Sequence, residues 1–561
     1  MGDGSDSRED PSGPDTRRES RPFSIMSYLE MHPVLGGVGI LSGAGSIVGW
    51  AWVIRHAGAS IRPVLFVLGA LLVGATGWLV IRGPLLLERF RRTEAVGAAP
   101  ALIAYSILAL QLRPSMEAAA DFASEHVGGR LGRSLGTYRL VEPTGRSAYE
   151  AFARSWGKYA PFLDRSVSLL GTAVDSASRD REEILERALD TALSGAQERV
   201  STFATDIRGP AMGIYAFGVM LPLSLVGMMP VVATTGGRIS LAMLAFVYDV
   251  FLPLGLLGAS GWLIVRRPAV SAPSVRVSDM KTDRPVWQVL GAGLVVATTA
   301  TVCVPYFLPA WSGILVAIGT GSGTSLLIWL APLRERRETT EKIERALPAA
   351  LGVVGQRLAE GAPIESAIST VATRLPGEIG SLFEEANRIR SRLGVDVKTS
   401  FHGDPGALEG ISSERIETAV SLVLEAGGRG PSGGETLRTL GTYLETLDSV
   451  KREARRDLSQ TTSTLRQTAI VFAPAIAGVT VALATGMNGA NAPGSTIDVS
   501  RLGQVIGVYV LSLAVILPTL AVSLERGFAP VRTGYRAGIA LVTSALLYPV
   551  TFLAARSLVY L

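Results

Sequence analysis

Cysteine is almost missing from this sequence. Cys303 is the only one, which excludes an intrachain disulfide. Histidine is nearly as scarce: His32, His56, His126 and His402 lie far apart without ligand spacing, so no metal site is expected. Lysine occurs only at Lys158, Lys281, Lys342, Lys398 and Lys451, so most of the positive charge is arginine. No Gly-x-x-x-x-Gly-Lys-Ser/Thr run exists, and a P-loop needs that lysine on the phosphates; the chain is not expected to hydrolyse ATP itself. No nucleophile–His–acid set stands out, so neither an enzyme nor a cofactor is expected. A net charge of +5 is small for 561 residues and argues against nucleic acid as a partner. Charge of both signs is thin: 18% of residues, against about 25% in ordinary soluble domains. Alternating β-branched runs with Asn-Gly turns are nearly absent, which leaves little room for sheet.

What is abundant is apolar sequence, 48% of the chain, gathered into long runs. About nine are long enough to cross a hydrocarbon layer of roughly 30 Å. They predict an all-α polytopic membrane protein, organised as a disordered cytosolic tail (1–33), a transmembrane pair (34–81), a first helical domain (82–210), a pair (211–265), a basic loop (266–285), a pair (286–331), a second helical domain (332–468) and three last spans (469–561). The tail has no apolar h-region near its start and no small-residue cleavage site, unlike a signal peptide. Arginines concentrate in the tail, both polar stretches, the 266–285 loop and the segment before residue 537, which predicts that these face the cytoplasm and that the C-terminus lies outside the cell membrane.

The polar stretches carry helical stripes. Leu437, Leu440, Leu444 and Leu447 recur at 3-4-3 spacing, continued by Leu458 and Leu465. Glu445, Asp448, Lys451, Arg452 and Glu453 occupy the other faces and read as solvated. Ile184, Leu185, Ala188, Leu189 and Ala192 form the same stripe in the first stretch.

The chain also reads as duplicated. Gly83-Pro84-Leu85 and Ala331-Pro332-Leu333 both close a span and open a polar domain, 248 residues apart; Ala99-Pro100-Ala101 and Leu347-Pro348-Ala349 share that spacing. Pro114 and Pro363 lie 249 apart in similar settings, Pro210 and Pro474 lie 264 apart, and Pro253 and Pro518 lie 265 apart. Each unit has an even number of spans, so this is a parallel repeat.

Two features invite functional readings. Gly319-Thr320-Gly321-Ser322-Gly323 looks like a phosphate loop but follows no strand and sits inside an apolar run, so close helix packing is the better reading. Asp249 is an intramembrane acid, costly and often functional; the plainer expectation is an outer-interface position or a pairing with Arg238 or Tyr248.

Duplicated helical domains between spans, with Arg345-Ala346-Leu347-Pro348 at the opening of the second and Leu424-Glu425-Ala426-Gly427-Gly428 before Gly434-Glu435-Thr436-Leu437, resemble the type II secretion system F domain. The number of spans makes the chain similar to the archaeal platform proteins of adhesion pili and archaella. That resemblance implies a platform for a type IV pilus-like machine, one that docks a hexameric cytosolic secretion ATPase and helps lift pilin-like subunits out of the membrane. Membrane lipid and a second copy of the chain, as a homodimer, are the other partners expected. Docking through exposed charge points to Glu117 and Arg130 in the first domain and to Glu365, Glu384, Glu385 and Arg388 in the second. A secondary transporter built on parallel repeats, and a sensor or scaffold without a motor, are the alternatives.

Overall fold

The computed structural model describes residues 88–559, apart from 89–91, 94, 143, 235–240, 269–284, 412, 489–497 and 528. The tail and the first two expected spans lie outside the described residues, as does most of the basic loop. Among the described residues every regular element is helical and none is a strand.

From Ala99 the first polar stretch folds into six helices: α1 (Ala99–Leu112), α2 (Met116–His126), α3 (Gly129–Val141), α4 (Gly145–Gly157), α5 (Pro161–Asp175) and α6 (Ser178–Asp206). Their boundaries follow local chemistry. Pro100 and Pro161 stand in the first turns of α1 and α5, where a missing N–H costs nothing. Ser115 caps α2, and Thr144 with Ser147 forms a reciprocal capping box at α4. Leu102, Ile103, Leu131, Leu135, Tyr149, Phe152 and Leu170 fill the core. The buried Tyr149 hydroxyl is hydrogen-bonded to Ser106, so the core carries no orphan there. Leu185, Ala188 and Ala192 are buried along the expected stripe of α6.

From α6 the chain runs on through α7 (Arg208–Tyr215), a π turn (Ala216–Met220) and α8 (Leu221–Thr234). It continues through α9 (Leu241–Ala245), a π turn (Phe246–Phe251) and α10 (Leu252–Arg266), then α11 (Val286–Phe307) and α12 (Gly313–Ala359). The outer half of α12 joins the second polar bundle with α13 (Ile364–Arg374), α14 (Glu378–Leu393), α15 (Val397–His402), α16 (Glu414–Gly427) and α17 (Pro431–Gln467). Leu437, Leu440, Leu444 and Leu447 of α17 all point into this core, beside Leu351, Val354, Phe383 and Phe401. A third π turn (Thr468–Phe472) leads into α18 (Ala473–Asn488), followed by α19 (Val499–Arg526) and α20 (Pro530–Val559).

Among the described residues seven helices are long and apolar enough to cross a membrane, and they overlap the seven spans expected beyond residue 210. Their outward faces are apolar too: Met212, Phe217, Phe251, Leu294, Val302, Ile314 and Ile318 are exposed. A helix apolar on all sides needs either a large core or lipid around it, so this fits a membrane protein. The glycine run of α12 is a packing device. A methyl at Gly319 would strike Ala545 of α20, at Gly321 Ala297 of α11, and at Gly323 Val542 and the Gly538 carbonyl of α20. Successive glycines thus let two different neighbours approach α12, as expected for small residues between apolar helices.

Candidate functional site

The expected docking residues lie on α2 and α3 of the first bundle and on α13 and α14 of the second. Glu117 is the second residue of α2 and Arg130 the second of α3; Glu365 is the second residue of α13, and Glu384, Glu385 and Arg388 lie on α14. Glu117 has work inside the fold. Its carboxylate accepts from Ser115 Oγ (2.7 Å) and from the Gly145 backbone N–H (3.1 Å), which ties α2 to the start of α4 and holds its pKa below the usual range. A side chain at Gly145 would collide with the Glu117 backbone, so the contact needs that glycine. Glu385 is paired with Arg388. Glu365, Glu384 and Arg130 are exposed and, among the described residues, make no hydrogen bond or ion pair. Among the described residues no hydrogen bond or ion pair joins the first-bundle pair to the second-bundle set; each stands on its own bundle.

A seam joins the bundles, and the sequence did not mark it. Ala104, Leu108 and Leu193 of the first bundle belong to the core of the second. Gln197 donates to Glu453 across the seam at 2.6 Å. Beside it lies a largely enclosed polar group: Arg415 pairs with Asp448 at 3.1 Å, and Lys451 approaches the same carboxylate at 4.0 Å, with side chains 18%, 13% and 18% exposed. Asp448 and Lys451 therefore are not on a solvated face, contrary to the reading of the charge run. Their charged neighbours Arg415 and Glu344 come from α16 and α12 of the second bundle itself, and the neighbouring Tyr443 and Val450 are buried as well. That widened apolar arc was the available signal. Burial pushes the Tyr105 phenol up to about 12, and burial first, with Arg415 second, lowers the Lys451 amine to about 8. The Arg415 Nε and Nη2 and the Tyr443 hydroxyl are buried without partners. An under-satisfied polar seam of this kind is weaker than an apolar one of equal area.

The second site lies within the apolar helices and is built on prolines. Pro222 has no N–H for the carbonyl four residues back, Gly218, and the chain answers with the π turn at 216–220. The freed Gly218 carbonyl accepts the Tyr509 hydroxyl from α19. Tyr248, in the second π turn, donates to the Pro222 carbonyl at 2.5 Å and meets Tyr509 edge-on at 5.5 Å. The other two π turns also precede prolines, Pro253 and Pro474. In the third, Ser544 donates to the Ala469 carbonyl at 2.8 Å. Asp249 follows Tyr248, and its Oδ1 is buried with no partner. It does not pair with Tyr248, whose hydroxyl is committed to Pro222; Arg238 lies outside the described residues. Ala514, the position that the 265-residue spacing sets against Asp249, is fully buried and apolar. Among the described residues no group of three or more His, Cys, Asp or Glu could hold a metal ion.

No protein-family model matches the chain, and neither a curated relative nor a solved structure does.

Proposed function

We propose that this chain is the membrane platform of a type IV pilus-like, type II secretion-related assembly machine. In this reading it has nine spans in a parallel repeat, a cytoplasmic N-terminus and both helical bundles in the cytoplasm. It docks a hexameric secretion ATPase and helps pilin-like subunits enter a filament. The observation that carries the reading is a pair of continuous helical rods. One runs from 179 to 229 and the other from 431 to 485, 51 and 55 residues, about 77 and about 83 Å long at 1.5 Å per residue. Each begins in a polar bundle and ends among the apolar helices, and the two pack together at both levels, α6 on α17 and α8 on α18. A force applied to the bundles would travel along such rods into the membrane. The helix order supports the repeat: among the described residues, six helices run from Ala99 to Asp206 and six from α12 to α17, in each set the second opening on a proline turn and the last being the long rod.

The docking face is assigned to Glu365, Glu384, Glu385 and Arg388, with Arg130 in the first bundle; Glu117 is excluded from the test because it holds α2 to α4. Reversing Glu365, Glu384 and Glu385 to lysine should reduce co-purification of the ATPase about ten-fold or more, with normal membrane insertion. Unchanged recovery of the ATPase and normal filaments would remove this surface from the account. The unpartnered Asp249 carboxylate favours one other reading, a secondary transporter. Substrate uptake by the purified chain in vesicles, abolished in Asp249→Asn, would establish that reading instead.

A further inference from the structure

The boundary between the polar bundles and the apolar helices is crowded with arginine. Arg334 lies over the Tyr535 ring at 4.4 Å and pairs with Glu338 at 2.7 Å; Arg532 and Arg345 share Glu341 at 2.6 and 3.1 Å. Glu525 accepts the Thr462 hydroxyl. The local carboxylates are thus engaged. Among the described residues Arg466, in the last turn of α17, and Arg536, in the second turn of α20, make no hydrogen bond or ion pair, yet both are half-buried. They stand side by side: Ile470 and Ala540, each one turn further along its helix, share one small apolar cluster with Leu511 and Leu326. Arg536 feels the fields of Arg466, Arg532 and Arg334, with only Glu525 opposing them.

A half-buried guanidinium that makes no ion pair and is outnumbered by charges of its own sign is costly. A pair of them facing each other needs an anion. The position names the anion, because this ring lies where the apolar surface ends. Aromatic–arginine contacts mark the same level: Arg266 is 4.0 Å from the Trp262 ring, and Trp329 is part-exposed. The group available at that depth is a phosphodiester, which a guanidinium fork binds in two-point fashion. We propose that Arg466 and Arg536 hold the phosphate of an anionic phospholipid headgroup, wedged between the second rod and the last helix. Basic pockets between apolar helices are suited to such headgroups. The lipid would brace the base of the rod against α20.

This inference rests on the reading that the chain spans a membrane, and the test separates the two. Alkaline carbonate washing of membranes comes first; release of the chain would end the membrane reading. Next, the full chain is purified in mild detergent and its bound lipid read by native mass spectrometry. The wild type should retain anionic phospholipid, and Arg466→Gln/Arg536→Gln should retain at least about ten-fold less. Adding phosphatidylglycerol should raise the melting temperature of the wild type more than phosphatidylcholine does, with no such difference in the double variant. If the glutamine variant fails to fold, Arg466→Lys/Arg536→Lys keeps the charge without the fork and should show intermediate retention. A carbonate-resistant double variant that keeps its anionic lipid would overturn the proposal. Stabilisation by inorganic phosphate equal to that by phosphatidylglycerol would also overturn it, assigning the site to a soluble phosphate.

Discussion

Lys451 shows how a single residue can report on the seam between the bundles. Its amine is lowered from the usual 10.5 to about 8, first by burial and then by Arg415, with Asp448 and Glu344 pulling the other way. The folded chain therefore binds this proton less readily than the unfolded one. Stability contributed here is smallest below about pH 8 and rises as pH climbs toward 10.5. Tyr105 has the opposite sense, since its raised value makes stability fall above pH 10. The seam should thus gain stability between pH 8 and 10. Lys451→Met should raise the melting temperature at pH 7.5 and flatten the pH dependence up to pH 9.5. A slope unchanged by the substitution, in thermal unfolding followed by tryptophan fluorescence, would show that Lys451 is ordinarily solvated.

At the scale of elements, the π turns are local answers to proline. The proposed exchange is direct: proline removes the donor for Gly218, and Tyr509 replaces it from another helix. The double-mutant cycle is therefore specific. Tyr509→Phe alone leaves a buried carbonyl short of a donor and should cost about 1–3 kcal/mol. In a Pro222→Ala background the new Ala N–H can reach Gly218, and the same tyrosine change should cost roughly 1 kcal/mol less. Additive effects on unfolding in detergent would disprove the exchange. The Pro222 and Pro253 positions were visible in the sequence, but the partner tyrosine was not, because residues 218 and 509 are 291 positions apart.

For the whole molecule, topology is the most direct test. In a Cys303→Ser background, single cysteines at Arg130 and Ser381 should be shielded from an impermeant thiol reagent in intact cells. Cysteines at Tyr306 and Ser500, both exposed and on the opposite side in the proposed orientation, should be labelled. Labelling at Arg130 or Ser381 from outside would invert the orientation and take the docking surface away from any cytosolic motor.

The sequence by itself determined the helical class, the seven apolar helices beyond residue 210 and the leucine stripes of α17, because each rests on periodicity and run length within one segment. It also determined that Gly319, Gly321 and Gly323 serve packing, since an apolar run without a preceding strand has no phosphate to cradle. Tertiary structure alone decided what touches what. Asp448 and Lys451 share the charge run with solvated neighbours, and only the packing of α16 on α17, which sets Arg415 against Asp448, makes them part of an enclosed polar group. Glu117 reads as a surface acid until α4 places Gly145 against it. Asp249 loses its expected partner because Tyr248 turns to the Pro222 carbonyl, and Arg466 and Arg536 become a pair only because two helices distant in sequence end at the same depth. Long-range contacts of this kind are set by packing among helices, and no local periodicity encodes them.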